Sequence, residues 1–443
     1  MKIVLIQPKG RGIFDYSPEP PLGLAYLSAA LLEYKKDLNI EIIDGCILKN
    51  EEFLKKVSNI KADIIGVTST MSQLGEALKI PSLVKDKNVK FIIGGAGVRN
   101  IAHPKLYENG YSVVCYGEGE RTIVELIKAF EYDFSLKNID GISFLCNNKE
   151  IITPPREYIE NLDDIPLPAR ELLDMERYLS IWKEKMGVRI SQMVSSRGCP
   201  FSCRFCDKTV FGRKVRFMSS KKIIEEMKQL YNKYKVDNVY FEEDLFTFDK
   251  NRVLEICGAI RKEFPGKKWS AQARVDTVDF EMLSVMKQAG CTDLMFGIES
   301  GSQRILDFLG KGITVKQIKK AFKAVNKVGI NGGMFLMIGI PREKQEDIDM
   351  TKKLILELEP KVINISFLTP IPGTEIFKMT KHLIRNDVDF YNFNEQYESV
   401  YRKDIFDVQP KERLHEIMYF FLDKFKGKID PRSSIGDGTA LTD

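Results

Sequence analysis

The sequence predicts an α/β protein built from a doubly wound, Rossmann-like parallel sheet, then a partial (β/α)6 barrel of the TIM type, then a small, mainly helical C-terminal region. Strand patterns alternate with helical patterns over residues 1–135 and again, in longer units, over residues 190–384. The 44% hydrophobic and 29% charged content is that of an ordinary globular protein.

The first domain, residues 1–135, is predicted from five apolar strand patterns, at residues 2–8, 39–45, 62–70, 89–97 and 111–120. Helical patterns lie between them at residues 21–34 and 50–60, and Pro21 suits the first turn of a helix. Ligands of doubly wound sheets bind beyond the carboxyl ends of the strands. Four of those ends read "QPKG", "TSTMS", "GGAG" and "GEGE", which are small or polar residues.

Residues 136–189 are predicted to be a linker, with a small hairpin and a proline-punctuated stretch. The barrel follows over residues 190–384, with helical patterns such as those at 220–234, 314–329 and 344–358. Its six strand patterns lie at residues 190–196, 238–244, 269–275, 292–300, 332–341 and 362–368. Six strands are too few to close an eight-stranded barrel, so one side should stay open.

The C-terminal region, residues 385–430, is dense in aromatic residues and contains an amphipathic helical pattern at 410–428. We expect this region to cap a substrate. Residues 431–443 lack apolar residues in any periodic pattern and are predicted to be disordered.

Charge and cysteine content exclude some classes of protein. The net charge of +5 is spread along the chain, so dedicated nucleic-acid binding is not indicated. No apolar run approaches the ~18 residues of a membrane-spanning helix, and no secretory signal is visible. Five single cysteines lie inside apolar stretches, and we expect them to be reduced, buried thiols of a cytoplasmic protein: Cys46, Cys115, Cys146, Cys257 and Cys291.

Three further cysteines crowd the loop after the first barrel strand. Cys199, Cys203 and Cys206 have the spacing C-x3-C-x2-C, at the end of a barrel where active sites lie. A closed zinc site needs four ligands, whereas thiolates also hold iron–sulfur clusters. Three thiolates on a four-iron cube leave one iron free for a small molecule. A zinc knuckle is the alternative.

This loop resembles the signature of the radical S-adenosylmethionine superfamily, C-x3-C-x-Φ-C, with Phe205 in the aromatic position. The resemblance implies a [4Fe-4S] cluster on the three cysteines and S-adenosylmethionine on the open iron. It also implies that Phe205 and Ser300 contact S-adenosylmethionine, together with later strand ends: Glu243 and Asp244 with the methionyl amino group, Arg274 with the carboxylate, Glu299 with the ribose, and Ile338 and Gly339 with the adenine.

The first domain extends the resemblance to the cobalamin-binding class of these enzymes. "PEPPLGLAYLSAALLE" (18–33), "IGVTSTMSQ" (65–73), "IIGGAGVRNIAHPK" (92–105) and "CYGEGERTIVELI" (115–127) occur in the order typical of that class. The class includes class B methyltransferases and the anaerobic magnesium-protoporphyrin monomethyl ester cyclase. The resemblance implies a cobalamin site at Gly23, Thr68, Ser69, Thr70, Met71, Gly94, Gly95, Ala96, Gly117, Glu118 and Glu120.

One feature departs from many cobalamin proteins, which place a histidine on cobalt from a D-x-H-x-x-G motif after the first strand. This chain has "QPKGRGIFDYS" (7–17) there, and its only histidines are His103, His382 and His415. His103 follows the "GGAG" strand, where relatives carry a histidine that is not a cobalt ligand. We therefore expect cobalamin without an imidazole ligand. A sheet that only covers the barrel is the alternative.

The resemblance implies a 5′-deoxyadenosyl radical and transfer of a methyl group to an unactivated carbon of a small-molecule or lipid-like substrate. A ferredoxin or flavodoxin would supply electrons. A cyclase or rearrangement enzyme with the same cofactors remains open, as does a cobalamin sensor without turnover. A transfer-RNA methylthiotransferase would need three more cluster cysteines in the first domain, which has only Cys46 and Cys115. The residues assign no acid–base or nucleophilic catalytic side chain.

Overall fold

A computed structural model describes residues 1–9, 19–98, 101, 103–386 and 399–425. The chain forms two compact units. The first comprises Met1–Tyr178 with Lys208–Gly212, and the second comprises Leu179–Asp207 with the described residues from Arg213 onward.

The first unit is built on a seven-stranded sheet with the order β2-β1-β3-β4-β5-β6-β7. The strands are β1 (Lys2–Gln7), β2 (Asn39–Asp44), β3 (Ile64–Thr68), β4 (Lys90–Gly94), β5 (Val113–Cys115), β6 (Ile142–Cys146) and β7 (Lys149–Ile152). The first five are parallel, and the last two are antiparallel. In sheets with the order 2-1-3-4-5, the ligand crevice opens where β1 meets β3.

Helices cover both faces of this sheet. They are α1 (Leu22–Tyr34), α2 (Asn50–Ser58), α3 (Leu74–Ala77), α4 (Ile80–Leu83), α5 (His103–Glu108) and α6 (Gly119–Tyr132). Alternate residues of β1 enter different cores: Val4 and Ile6 pack in one with Phe53 of α2, and Ile3 and Leu5 pack in the other with residues of α1 and α6. This two-sided burial confirms the predicted doubly wound sheet.

The hairpin predicted in the linker forms, but it belongs to the sheet. β6 pairs with β5, with Phe144 opposite Val113, so the sheet continues beyond residue 135, where the sequence predicts the end of the first domain. Without this pairing β5 would leave an exposed row of backbone donors and acceptors. The strand predicted at 111–120 is shorter than expected, because α6 already begins at Gly119.

The second unit contains the predicted six-stranded parallel sheet. Its strands are β8 (Ile190–Met193), β11 (Asn238–Phe241), β12 (Lys268–Ala273), β13 (Cys291–Glu299), β14 (Asn331–Ile338) and β15 (Val362–Phe367), and they lie side by side in chain order. The short strands β9 (Ser196–Arg197) and β10 (Arg216–Phe217) pair separately. The sheet is therefore the open, partial barrel that the strand count predicts.

Helices of this unit connect successive strands. They are α8 (Ser220–Lys228), α9 (Lys250–Glu263), α10 (Phe280–Gln288), α11 (Gln303–Phe308), α12 (Val315–Val328) and α13 (Gln345–Leu358). Phe296 of β13 faces the helices, because its ring lies 5.5 Å from that of Phe322 in α12. Met295 and Gly297 point to the opposite, concave face of the sheet, since side chains alternate along a strand.

Helix α14 (Glu375–Thr380) follows the last barrel strand, and the described part of the C-terminal region contains helix α15 (Pro410–Lys424). α15 confirms the amphipathic helix predicted at 410–428, and Ile417 and Phe421 are fully buried on its inner face. Most of the aromatic stretch at 389–406 and the tail at 431–443 lie outside the described residues. Helix α7 (Met175–Met186) contains the boundary between the units.

Within the described ranges, no helix is long and apolar enough to cross a membrane. All eight cysteines are free thiols. Cys257 and Cys291 are buried as predicted, and burial raises the pKa of Cys257 to about 12. Cys46, Cys115 and Cys146 are only half-buried, because they lie at strand ends or on the outer hairpin.

Candidate functional site

The three-cysteine loop lies between β9 and β10 in the second unit. Cys199, Cys203 and Cys206 are half-buried free thiols. The amide of Cys206 donates to the carbonyl of Cys203 over 3.2 Å, which folds these two residues into one turn. Between them, Arg204 is fixed on both sides of its backbone: its amide donates to Leu309, and its carbonyl accepts from Ile376, each over 2.9 Å. The loop is therefore held in place by protein contacts.

The donor set fits a thiolate-ligated cluster. Zinc binds thiolates at about 2.3 Å, so the sulfurs of a zinc site must lie within about 4 Å of one another. In the part of the chain that the structure describes, no group of three or more His, Cys, Asp or Glu side chains is close enough to hold a single metal ion. Thiolates are also the ligands of iron–sulfur clusters, and this loop carries three free thiols.

Arg274 lies beside this loop, directly after β12. Its side chain is nearly buried, and its Nη1 is 3.8 Å from the sulfur of Cys203. The guanidinium carbon lies 3.8 Å from the ring centroid of Phe201, Nη2 donates to the carbonyl of Lys311, and Nε is 2.7 Å from Asp276 Oδ1. The guanidinium, paired with Asp276, is therefore held next to the Cys203 thiol.

Glu299, at the end of β13, forms a buried ion pair with Lys311 over 2.7 Å. Glu299 has a left-handed backbone, with φ of 65°, beside an irregularity in the pairing of β13 with β14. Such conformations are rare for residues other than glycine and cluster at ligand sites. A Cβ on Gly297 would lie 2.6 Å from Lys311 Nζ and 2.8 Å from Glu299 Oε1, so a larger residue there would displace the ends of these two side chains. Lys311 Nζ is also 5.8 Å from the ring centroid of Phe205.

The carboxylate of Glu243 is buried and hydrogen-bonded within the protein at the end of the strand. Its carboxylate accepts hydrogen bonds from the amides of Ser195 and Ser196 and from the Ser195 hydroxyl, which is 2.8 Å away. Arg252 donates to the carbonyl of Ser195 over 2.9 Å and stacks on Phe217. Glu243 thus anchors the end of β8 that leads into the cysteine loop.

The other residues predicted to contact S-adenosylmethionine fall into two groups. Asp244 is exposed and Phe205 is half-buried, so both can meet a ligand. Ser300 and Ile338 are fully buried, and the Ser300 hydroxyl accepts from the amide of Ser302 over 3.1 Å. Gly339 is buried in a left-handed turn, with φ of 70°, immediately after β14.

Two residues of this site were not identified from the sequence. Lys311 lies on no motif, and only its contact with Glu299 in the folded chain identifies it. Glu242 could have been found from alternation along β11. Val239 and Phe241 are buried, whereas Tyr240 and Glu242 are half-buried, which places Glu242 on the concave face and Glu243 on the other.

In the first unit, most of the predicted cobalamin residues lie at the carboxyl ends of β3, β4 and β5, whereas Gly23 lies in the first turn of α1 and Glu120 in the first turn of α6. Gly95 has φ of 99°, and a Cβ there would lie 2.6 Å from the carbonyl oxygen of Ser69. A Cβ on Gly97 would meet the carbonyl of Thr70 at 2.6 Å. These glycines are therefore required by the close packing of two loop backbones, in addition to any approach of a ligand.

The remaining residues of that set differ in exposure. Those that are partly or fully exposed are Gly23, Thr68, Thr70, Met71, Gly94, Ala96 and Gly117. A Cβ on Gly23 or on Gly117 would meet no atom within 4 Å among the residues that the structure describes. Ser69 is buried, and the buried carboxylate of Glu118 accepts from the amide of Ile159 over 2.7 Å. Glu120 is also buried.

His103 lies against the outer hairpin. Its Nδ1 is 2.7 Å from Glu150 Oε1 and 3.1 Å from the Ser143 hydroxyl, and its ring stacks on Tyr116. At the ends of β1 and β2, buried Asp44 accepts from Tyr178 and from the Cys46 amide. Burial raises the pKa of Asp44 and that of Tyr178 above their usual values.

Two family models match the chain, one in each unit. The "B12 binding domain" model matches residues 15–127, and the "Radical SAM superfamily" model matches residues 193–355. The open strand ends of the first unit and the three-thiol loop of the second fit the two cofactors that these models imply.

Relatives and solved structures agree with this pairing. The chain is 35% identical over 387 residues to an uncharacterised methyltransferase of Pyrococcus horikoshii, covering 85% of this chain and 83% of that protein. It is 27% identical over 409 residues to the anaerobic magnesium-protoporphyrin IX monomethyl ester cyclase of Cereibacter sphaeroides, covering 89% and 66%.

In fold, the chain resembles the radical S-adenosylmethionine methyltransferase TsrM of Kitasatospora setae, solved with cobalamin and a [4Fe-4S] cluster. The TM-score is 0.75 at 15% identity, covering 98% of this chain and 92% of that one. Together with the two family models and the archaeal relative, these features show that the chain belongs to the cobalamin-binding radical S-adenosylmethionine enzymes, whose cofactors are a [4Fe-4S] cluster, S-adenosylmethionine and cobalamin.

Proposed function

We propose that this enzyme transfers a methyl group to an unactivated carbon of a small-molecule or lipid-like substrate. The observation that supports it best is that the three free thiols, Arg274 and the Glu299–Lys311 pair lie at or beyond the ends of the first, third and fourth strands of the open barrel. The similarity to a methyltransferase over most of both chains supports the reaction type.

In this proposal Cys199, Cys203 and Cys206 hold the cluster. When bound, the cluster supplies the electron that cleaves S-adenosylmethionine, and cobalamin carries the methyl group. The protein itself contributes orientation and exclusion of water. Its half-buried thiols and nearly buried Arg274 provide a site of low dielectric constant, in which a charged ligand is bound strongly.

The remaining charged residues would hold S-adenosylmethionine by its polar groups. Arg274 is suited to the methionyl carboxylate, and Glu299, held by Lys311, is suited to the ribose hydroxyls. Glu242 and Asp244 are better suited to the methionyl amino group than Glu243 is, because the Glu243 carboxylate is already bonded to Ser195 and Ser196. Gly339 and Ile338 would lie beside the adenine.

Cobalamin would bind beyond the strand ends of the first unit. Small or partly exposed residues there leave room for a bulky ring: Gly23, Thr68, Thr70, Met71, Gly94, Gly95, Ala96 and Gly117. Ser69, Glu118 and Glu120 would support these loops from behind, since all three are buried.

The test uses anaerobically reconstituted protein with a chemical reductant or reduced flavodoxin. With S-adenosylmethionine that carries a labelled methyl group, we expect 5′-deoxyadenosine and, once the substrate is supplied, a product that contains the label. Flavodoxin or ferredoxin is our proposed electron donor. A full cluster without any 5′-deoxyadenosine would contradict the proposal and favour a sensor.

A cyclase is the second candidate, because similarity to the magnesium-protoporphyrin cyclase spans 89% of the chain. The same labelling experiment separates the two reactions. A cyclase would consume substrate and form 5′-deoxyadenosine, but its product would lack the labelled methyl group.

A further inference from the structure

The turn after β14 is held by the C-terminal helix. A Cβ on Gly339 would lie 3.1 Å from Cβ of Pro410, the first residue of α15, so the helix end lies directly against the turn. The amide of Gly339 donates to Glu343 Oε2 over 3.1 Å. The shape of this turn therefore depends on where Glu343 and α15 lie.

Arg413 of α15 fixes Glu343. Its side chain is 0% exposed, and that of Glu343 is 2% exposed. Nη1 of Arg413 donates to the carbonyl oxygen of Glu343 over 2.8 Å and lies 3.3 Å from Glu343 Oε2. Nη2 donates to Asp407, which is half-exposed. A continuous chain of polar contacts thus runs from the Gly339 turn through Glu343 and Arg413 to Asp407.

A buried ion pair of this kind is sensitive to loss of either partner. Removing one member leaves an uncompensated charge in the interior, whereas removing both is much less disruptive. Burial here outweighs the attraction of Arg413, and Asp347 of α13 adds repulsion, so that the pKa of Glu343 rises to about 7. Arg413 and Asp347 are the charged groups that act on this carboxyl.

We propose that Arg413 and Glu343 are positioning residues for S-adenosylmethionine, and that they hold the Gly339 turn in the shape that receives the adenosyl group. The inference rests on the proposed placement of Ile338 and Gly339 beside the adenine. A turn that is already ordered loses less conformational entropy when the ligand binds, so the pair increases affinity without touching the ligand.

The test is titration calorimetry of S-adenosylmethionine into anaerobically reconstituted holoprotein. We expect Arg413→Met and Glu343→Gln each to weaken binding about fivefold, the usual scale for residues that act through another. The double variant should bind no more weakly than either single variant, because the two residues act as a unit. Iron content should stay at the wild-type level in all three.

The matched control is Glu416→Gln. Glu416 also ties α15 to α13, through Gln345 at 2.9 Å and Lys352 at 2.8 Å, but it does not contact the Gly339 turn. Its affinity should equal that of the wild type. If it weakens binding as much as Arg413→Met does, general packing of α15 explains the effect and the inference fails.

Two further variants keep the test decisive. Asp407→Asn changes a half-exposed side chain, so it should fold even if Arg413→Met does not, and it should weaken binding in the same direction. Gly339→Ala should weaken binding strongly. If it does so while the pair variants have no effect, only the positioning role is refuted. If Gly339→Ala has no effect either, the placement of the adenine is refuted with it.

Discussion

Lys311 Nζ lies 2.7 Å from Glu299 Oε1, and both side chains are almost completely buried. The pair occupies the end of β13, where Glu299 holds a left-handed backbone and where Gly297 leaves the space that the lysine needs. Burying a charged group is costly unless an opposite charge accompanies it. The pairing with Lys311 therefore holds the Glu299 carboxylate in place at the end of β13.

Replacing Lys311 by Met should weaken S-adenosylmethionine binding several-fold, because Glu299 loses the cation that holds it in place, and it should lower stability by about 3 to 5 kcal/mol, the usual cost of leaving a buried charge unpaired. Calorimetry on the reconstituted protein measures this loss, and iron analysis should show that the cluster remains. Lys319→Met is the control, since Lys319 pairs with Glu357 on an exposed helix surface. That exposed pair should contribute at most about 1 kcal/mol to stability. Equal affinities of the two variants for S-adenosylmethionine would show that Lys311 does not contribute to the binding site.

The three cysteines of the loop lead to a prediction of the iron content of the protein. Reconstituted wild-type protein should bind about four irons and absorb broadly in the visible range, and Cys203→Ala should lose most of both. Cys146→Ala is the matched control, because Cys146 is also a half-buried free thiol but lies on the outer hairpin of the first unit. Zinc in place of iron, or iron retained in Cys203→Ala, would contradict the assignment.

The fold could be predicted from the sequence because its periodic patterns are regular. All six barrel strands form where predicted, as do α1 and α12, since apolar strand runs and helical periods depend on local sequence. The hairpin of β6 and β7 was predicted as an element but not as part of the sheet. The position of the hairpin is determined by the pairing of β6 with β5, a long-range contact that local sequence patterns do not predict.

The site could be predicted only where a residue lies on a motif or a strand end. Cys203 and Arg274 were identified in this way, and they lie within 3.8 Å of each other. Lys311 could not be found, because its role comes from the chain folding back onto Glu299. From the sequence, Gly95 was assigned only to the cobalamin site. In the structure, the Ser69 backbone occupies the space that a side chain at position 95 would need.

The two adjacent glutamates that follow β11, Glu242 and Glu243, should respond differently to substitution. Glu242→Gln should weaken S-adenosylmethionine binding several-fold with little change in stability, because Glu242 is half-buried on the concave face. Glu243→Gln should instead lower stability by about 1 to 3 kcal/mol, since it loses charged hydrogen bonds to Ser195 and Ser196. Calorimetry and urea unfolding measure the two effects. The opposite result would restore Glu243 as the ligand residue.

Cobalamin binding is best tested at Gly23. A Cβ there meets no atom of the described residues within 4 Å, so Gly23→Phe should fold normally yet occupy the space of the corrin and abolish cobalamin uptake. Gly258→Phe is the control, because Gly258 in α9 likewise borders open space but belongs to the second unit. Absorbance of bound cobalamin after gel filtration gives the measurement.

Gly95 is a poorer probe of that site, because any side chain there also collides with Ser69 and would disturb the loop itself.

In protein loaded with Co(II) cobalamin, electron paramagnetic resonance should show no splitting from an axial nitrogen, since no histidine follows β1 in the sequence. Full uptake of cobalamin by the Gly23→Phe variant would show that cobalamin does not bind at the start of α1.

The buried carboxyl of Glu343 should make the stability of the second unit depend on pH. Its pKa rises from 4.5 to about 7 on folding, chiefly because burial disfavours its charged form. The folded protein therefore holds this proton more tightly than the unfolded chain does. The resulting stabilisation is complete below about pH 4.5 and is lost as the pH rises to about 7.

Glu343→Gln removes this titration while keeping the shape of the side chain. Relative to the wild type, the variant should therefore gain stability as the pH rises from 5 to 8, by roughly 3 kcal/mol for a shift of this size. Urea unfolding followed by the fluorescence of Trp269, which is fully buried in β12, measures the difference. In Arg413→Met the carboxyl lacks its cation, so the loss of stability should continue above pH 7. Parallel pH profiles for the wild type and Glu343→Gln would show that this carboxyl does not titrate in that range, and that Arg413 compensates its charge fully.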